Sequence, residues 1–131
     1  MSLENFSTFY YGHEITSDNN KIDFEEGFGE LVAEINVGTY SLTDFVIAVQ
    51  DALNSAGSNI YFVTLNRTTR QITITANNPF DLLITTGDHT GTSSFPLMGF
   101  TGPDLTGQTV YVSNGPSGSE YRPQLDRKSV V

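Results

Sequence analysis

The clearest hydrophobic pattern in the chain predicts one amphipathic helix at about residues 41–56. Apolar side chains recur there at the spacing i, i+3, i+4, i+7 and i+11, which places them on one helical face. They are Leu42, Phe45, Val46, Val49 and Leu53. Ser41 precedes Asp44 by three residues, as a helix N-cap does, and Gly57 stands where a left-handed residue commonly ends a helix. The pattern therefore predicts the start, the buried face and the end of this helix.

Shorter runs, rich in aromatic and β-branched residues or alternating between apolar and polar positions, predict β-strands. They occupy residues 6–15, 21–24, 30–37, 60–66, 71–77, 80–84 and 109–113. The fourth and fifth runs are joined by the polar link RTTR and predict a β-hairpin. In its first strand the predicted apolar positions are Ile60 and Phe62, with Val63 or Leu65 as a third.

Turn-forming residues separate these runs. Turns are predicted at residues 17–20 (SDNN) and at Asn78-Pro79, and Gly38 is predicted to end the strand that precedes it. The pattern as a whole predicts an α+β fold that is mainly β. We expect an antiparallel sheet, or a small barrel or sandwich, with the one amphipathic helix.

The C-terminal part differs in composition from the rest. After residue 113 apolar residues are few and Gly and Pro are frequent. We therefore predict a single globular β-rich domain over residues 1–113 and an extended or partly disordered tail over residues 114–131.

Composition narrows the class of protein. The 131 residues include nine Phe, six Tyr and twelve Gly but no Trp, and 37% are hydrophobic, which is typical of a globular, β-rich chain. The absence of Cys excludes disulfides, Cys-ligated zinc and a thiol nucleophile. The N-terminal residues show no signal-peptide pattern, and no apolar run reaches the roughly 18–20 residues of a membrane span. We expect a soluble protein without membrane contact.

The charge of the chain is negative and unevenly distributed. The formal net charge is −9. Residues 1–66 carry ten acidic side chains and only Lys21 as a base, whereas residues 67–131 carry five of each sign. Nucleic acid is not an expected partner, because neutralisation of phosphates dominates such binding. The acidic half either serves solubility or meets the basic tail of a neighbouring copy, a contact that salt would weaken.

No spaced set of side chains indicates catalysis. His13 and His89 each lack a second histidine at metal-ligand spacing, and we interpret both as surface histidines. Four carboxylates lie close in sequence: Asp23, Glu25, Glu26 and Glu30. A glycosidase would add aromatic platforms and a larger fold to such a pair of acids, so we interpret these as a solvated strand edge.

Residues 18–23 match a calcium loop only in part. Ile22 occupies a ligand position, and the loop glycine is missing. Adventitious calcium at Asp18–Asp23 stays open. We otherwise predict a protein that is not an enzyme, with no catalytic residues, no cofactor and no metal site.

Two segments, residues 9–11 (FYY) and 95–100 (FPLMGF), contain more large apolar side chains than a small core needs. The tail adds Tyr121 and Leu125. They either fold back over the ends of the sheet or are buried against another subunit. The candidate interface residues are Phe9, Tyr10, Tyr11, Phe95, Leu97, Met98, Phe100, Tyr121 and Leu125.

The order of these features resembles a pattern in virion structural proteins of tailed phages and other viruses. There, a strand ending in I-x-x-G-x-Y is followed by an amphipathic helix, a glycine, a hairpin with an I-T-I-T-like strand, and a loop with leucine, glycine and phenylalanine. The matching segments are Ile35-Asn-Val-Gly38-Thr-Tyr40, Leu42 to Asn54, Gly57, Arg70-Gln-Ile72-Thr-Ile74-Thr75 and Leu97-Met-Gly99-Phe100. Flagellar hook-associated proteins are similar over the first part, from the glycine-tyrosine element to the hairpin.

The resemblance covers about residues 21–100 and implies a function without catalytic residues. It implies a virion structural or assembly protein of a phage-like particle, from the tail, neck or fibre region, that acts through self-association. Its partners would be further copies of itself and other virion proteins. It would reside in the virion, and in the host cytoplasm during assembly. The alternative is a receptor- or carbohydrate-binding module of a fibre tip.

Overall fold

Eight strands and one long helix build the part of the chain that a computed structural model describes, residues 11–120. The strands are β1 (Tyr11–Ile15), β2 (Lys21–Glu25), β3 (Glu30–Glu34), β4 (Gly38–Ser41), β5 (Tyr61–Leu65), β6 (Ile72–Leu82), β7 (Leu105–Val112) and β8 (Ser119–Glu120). The helices are α1 (Leu42–Ala56) and the one-turn α2 (Phe95–Met98), preceded by a 3₁₀ turn at Thr90–Thr92. The named strands pair only antiparallel, in two open sheets. The prediction of an α+β, mainly β fold is confirmed.

The long strand β6 organises the larger sheet. One of its edges pairs with β7. Its other edge pairs first with β5 and then, near its C-terminal end, with β2, which in turn pairs with β3. The smaller sheet has the order β4-β1-β8, and α1 follows β4 directly.

Helix α1 packs its apolar face onto both sheets, as its sequence predicts. The buried residues of α1 are Leu42, Phe45, Val46, Val49, Ala52 and Leu53. The side chain of Ser41 caps the helix by accepting a hydrogen bond from the Asp44 N–H at 3.2 Å.

The predicted left-handed conformation of Gly57 is wrong. Its backbone is extended, with φ −106° and ψ 173°. A Cβ atom at this position would lie 2.4 Å from Oε2 of Glu26. Gly57 therefore leaves room for the Glu26 carboxylate in its present position and does not form a left-handed cap.

The predicted register of β5 is also wrong. Tyr61 and Val63 are buried, whereas Ile60 and Phe62 are 57% and 61% exposed. A shift of one residue moves every side chain of a strand to the other face. The buried aromatic ring of Tyr61 sets this register, because its hydroxyl also finds a hydrogen-bond partner in Glu26.

Two predicted breaks between strands differ from the structure. Gly38 begins β4, which pairs with β1, and does not end the strand before it, because β3 already ends at Glu34. Asn78-Pro79 does not separate two strands, because β6 continues through it to Leu82. Residues 77–79 are exposed, and the pairing of β6 with β7 shifts register between Thr75 and Phe80. Proline is tolerated there, because this irregular stretch does not need its missing N–H for the ladder.

The packed part of the chain continues past the predicted boundary at residue 113. Ser117 is completely buried, and the Gly118 N–H donates to the Leu97 carbonyl. Strand β8 then pairs with β1. The rest of the predicted tail, residues 121–131, lies outside the described residues.

Candidate functional site

The outer face of β5, β6 and β7 carries a group of exposed apolar side chains. Phe62, Val110 and Val112 are 61%, 47% and 52% exposed. Phe62 and Val110 both lie opposite Thr75, so they form one row across the three strands. Thr64 and Val112 form the next row, on either side of Thr73. We call these two rows the outer sheet face.

A series of aromatic contacts on the opposite, buried side of the sheet determines which residues face the solvent. Phe24, Tyr61, Phe80 and Tyr111 contact one another edge to face, with centroid distances of 5.7, 5.2 and 4.9 Å along the series. These four rings come from β2, β5, β6 and β7. Because neighbours along a strand point to opposite faces, burying Tyr61 and Tyr111 leaves Phe62, Val110 and Val112 outside.

Both buried tyrosines have partners for their hydroxyl groups. The Tyr111 hydroxyl donates to the Phe80 carbonyl at 2.6 Å, and the Tyr61 hydroxyl donates to Glu26 Oε2 at 2.6 Å. Burial, followed by the hydrogen bond to Glu26 and its charge, raises the pKa of Tyr61. The hydroxyl therefore remains a donor, and the register of the sheet does not depend on pH near neutrality.

The predicted interface segment around Phe95 is instead part of the core of this chain. Phe95, Met98 and Phe100 are at most 1% exposed, and Leu97 is half-buried against the core. The rings of Phe95 and Phe100 pack edge to face at 6.1 Å. These side chains satisfy the alternative in which the segment folds back, so the prediction that they contact another subunit is wrong for the three buried residues.

Left-handed Gly99 is the reason that this segment can pack so tightly. Its φ is +89°, and a Cβ atom there would lie 2.2 Å from the Gly115 carbonyl oxygen. The Gly115 N–H also donates to the Gly99 carbonyl. The turn after α2 is thereby closed against the segment that leads to β8.

The structure does not test whether the other predicted interface residues contact another subunit. Phe9, Tyr10, Tyr121 and Leu125 lie outside the described residues. Tyr11 begins β1, where its backbone pairs with Glu120 of β8.

A groove of about 360 Å³ lies between α1 and the β3–β4 segment. It has a partly apolar lining that includes Ile47 and Ala48, and three carboxylates surround it: Glu34, Asp44 and Asp51. None of its lining residues is basic. This acidic groove could accept the basic tail of a neighbouring copy. The predicted contact between the acidic half and that tail stays a prediction.

His13 is buried, and its interpretation as a surface histidine is wrong. Its side chain packs against the Phe45 ring at 4.5 Å, and its Nε2 lies 3.1 Å from Ser117 Oγ. Burial lowers the pKa of His13 to about 4, although a hydrogen bond with the Leu97 backbone acts in the opposite direction. The imidazole is therefore neutral at physiological pH and acts as a packing residue.

His89 and Asp23 are in contact, although they are 66 residues apart in the sequence. Asp23 is 3% exposed; its Oδ2 accepts the His89 backbone N–H at 2.6 Å, and its Oδ1 lies 2.8 Å from His89 Nδ1. Asp23 is thus no part of a solvated strand edge. Because the side chain of Asn20 is also buried, with its Nδ2 donating to the Ile35 carbonyl at 3.0 Å, two residues of the partial calcium loop are used in other contacts.

Glu26 is a second acid of that group with a structural role. Its carboxylate accepts hydrogen bonds from the backbone N–H groups of Ser58 and Asn59 and from the Tyr61 hydroxyl. It therefore connects the end of β2 to the segment between α1 and β5.

The outer sheet face was missed by sequence reasoning because its apolar residues alternate with buried tyrosines. In the segments 61–63 and 110–112, both neighbouring sets of side chains are apolar or aromatic. Alternation alone does not say which set is inside. The available signal was the amphipathic character of tyrosine, which suits a buried ring at the end of a sheet with a hydroxyl partner.

Comparison with known proteins adds no identity to these observations. No model of a known protein family matches the chain, and no curated protein matches it. Within residues 11–120, no helix is both long and apolar enough to span a membrane.

Proposed function

We propose that this chain is a non-catalytic structural or assembly protein of a phage-like virion and acts through self-association. The outer sheet face is the contact between copies in this proposal. Other virion proteins are its further partners, and it resides in the virion and, during assembly, in the host cytoplasm. The sequence pattern of residues 21–100 supports the class of protein, and the outer sheet face supports the way in which it acts.

The observation that carries the proposal is the neutrality of an exposed apolar surface on an acidic chain. The two rows contain Phe, Val and Thr side chains and no charged residue, whereas the net charge is −9. Two copies repel each other through their acidic surfaces. A neutral, partly apolar face is the place where two such copies can approach and remove apolar area from water.

A second copy is therefore the occupant that fits this surface. The same face on both copies gives a self-complementary contact, as in a symmetric dimer, with the Phe62 ring as its largest apolar side chain. Introducing a carboxylate there places two like charges near each other across the contact.

The test is the association state of the full chain and of Phe62→Asp, measured by light scattering during size-exclusion chromatography over a range of concentrations. We expect the parent chain to associate and Phe62→Asp to raise the dissociation constant by at least about tenfold, which corresponds to about 1.4 kcal/mol. The matched control is Val37→Asp, because Val37 is 66% exposed but lies outside the outer sheet face. It should associate like the parent chain.

A further variant separates association from folding. Phe62→Thr keeps a good strand-forming residue and should also weaken association, while its urea midpoint stays close to that of the parent chain. A strictly monomeric parent chain at high concentration, or equal association of Phe62→Asp and Val37→Asp, would overturn the proposal. Terminase, portal or tail genes beside this reading frame would support the virion assignment independently, and a metabolic operon there would count against it.

A further inference from the structure

Three metal-ligating side chains from separate segments meet at one end of the larger sheet. They are Asp23 of β2, Glu30 at the start of β3 and His89 in the connection after β6. One ligand atom of each residue lies within 4.8 Å of the ligand atoms of the other two. Asp23 is buried, the His89 side chain is 38% exposed, and Glu30 is exposed. The cluster thus has a fixed inner ligand and an open outer side.

The chain is folded tightly around the inner ligand. A Cβ atom at Gly87 would lie 2.2 Å from Oδ2 of Asp23, so only glycine lets the backbone pass here. The next two backbone N–H groups are held by the two carboxylates: the Asp88 N–H donates to Glu30 at 2.7 Å and the His89 N–H to Asp23 at 2.6 Å. Two strands and the connection therefore hold the three ligands in place before any ion arrives.

The buried carboxylate of Asp23 needs a compensating positive charge. Among the described residues its ion-pair partner is His89, which carries a charge only when it is protonated. A buried carboxylate without a cation is costly. A divalent cation bound between Asp23, His89 and Glu30 would place a positive charge directly beside the buried carboxylate.

We propose that Asp23, Glu30 and His89 form a binding site for a divalent transition-metal ion of the Zn²⁺ class. One imidazole nitrogen and two carboxylate oxygens are ligands that Zn²⁺ accepts, with water in the remaining position. All-oxygen sites suit Ca²⁺ and Mg²⁺, whereas an imidazole ligand favours a transition metal. In tetrahedral Zn²⁺ coordination at about 2.0–2.1 Å the ligand atoms are about 3.3 Å apart, so ligand atoms that already lie within 4.8 Å of one another have only a short distance to move.

Binding replaces the hydrogen bond between His89 Nδ1 and Asp23 Oδ1. The proton on Nδ1 leaves, either to solvent from an imidazolium or by a change to the Nε2–H tautomer, so that the Nδ1 lone pair and a carboxylate lone pair both face the ion. The ion ties the connection between β6 and α2 to strands β2 and β3. This site does not depend on whether the outer sheet face self-associates.

The test is calorimetric titration of the full chain with Zn²⁺ after dialysis against EDTA and then against metal-free buffer. We expect saturable binding of one ion per chain, an increase of the melting temperature that EDTA reverses, and no competition by Ca²⁺. Glu30→Gln keeps an amide oxygen for the Asp88 N–H but removes a charged ligand. It should weaken Zn²⁺ binding by at least about 10–100-fold, which is the loss found when only an outer-shell partner of a metal ligand is removed.

Two further variants keep the result interpretable. His89→Ala removes the nitrogen ligand and should abolish saturable binding, while circular dichroism reports whether its fold persists. Asp18→Asn, the matched control, removes one acid from the partial calcium loop and should bind Zn²⁺ like the parent chain. Absence of saturable binding to the parent chain, or unchanged affinity in Glu30→Gln and His89→Ala, would overturn the proposal.

Discussion

Replacing Glu26 by glutamine should destabilise the fold through the loss of one hydrogen-bond acceptor group. The carboxylate accepts the Ser58 N–H at 2.9 Å, the Asn59 N–H at 3.0 Å and the Tyr61 hydroxyl at 2.6 Å. Glutamine has one acceptor oxygen, and its NH₂ group would face donors. At least one of these three hydrogen bonds is therefore lost.

The size of the effect follows from the burial of the donors. The Asn59 N–H and the hydroxyl of Tyr61, which is 1% exposed, share Oε2 of Glu26, so a glutamine oxygen in that place keeps both bonds as bonds to a neutral acceptor. A hydrogen bond to a neutral group contributes about 0.5–1.5 kcal/mol, against about 1.5–3 kcal/mol for one to a charged group. Ser58 is exposed, so water replaces the carboxylate at its N–H at little cost. Glutamine therefore loses the bond from Ser58 and weakens the other two, and we expect Glu26→Gln to lower the free energy of unfolding by about 1 kcal/mol at pH 7.

The pH dependence gives a second, independent signature. Burial by itself raises the pKa of Glu26, but the hydrogen bonds from Tyr61, Ser58 and Asn59 outweigh it and leave the pKa below its ordinary value of 4.5. The folded state thus favours the ionised form. This contribution to stability is fully present above pH 4.5 and is lost as the pH falls through the lowered value in the folded protein.

The assay is urea unfolding of the parent chain, Glu26→Gln and Glu25→Gln at pH 7 and pH 3. Glu25→Gln removes the same charge one residue away, opposite Glu30 and Asp81, and should change stability by no more than about 0.5 kcal/mol. The difference between Glu26→Gln and the parent chain should shrink at pH 3. Equal effects of the two substitutions at pH 7, or an undiminished effect of Glu26→Gln at pH 3, would refute the reasoning.

Two further substitutions test the corrected positions of predicted site residues. Phe100→Ala should lower the free energy of unfolding in urea by about 3–5 kcal/mol, because the ring is completely buried. A variant that keeps its stability but no longer self-associates would show instead that Phe100 is an interface residue. Lowering the pH from 6.5 to 5 should reduce the stability of the parent chain by up to about 2 kcal/mol through His13, because the unfolded chain takes up a proton at an ordinary pKa of 6.5 and the folded chain only at about 4. His13→Phe should remove that part of the pH dependence, and identical urea midpoints against pH in both proteins would contradict the assignment.

The sequence by itself determined the elements whose signals are local. Helix α1 was predicted within one residue at its start, because its apolar spacing and its Ser41 cap lie within a few turns of chain. The hairpin of β5 and β6 was predicted for the same reason, since its two strands are joined by a short polar link. The mainly β, antiparallel character followed from these runs and their turns.

Only the tertiary structure decided which side of each strand is buried and which distant groups meet. The outward position of Phe62 depends on Tyr61 reaching Glu26, which is 35 residues away. The contact of Asp23 with His89 spans 66 residues and depends on the close passage of Gly87. Periodicity along the chain describes two faces but does not choose between them, because that choice is made by packing partners that the sequence does not place side by side.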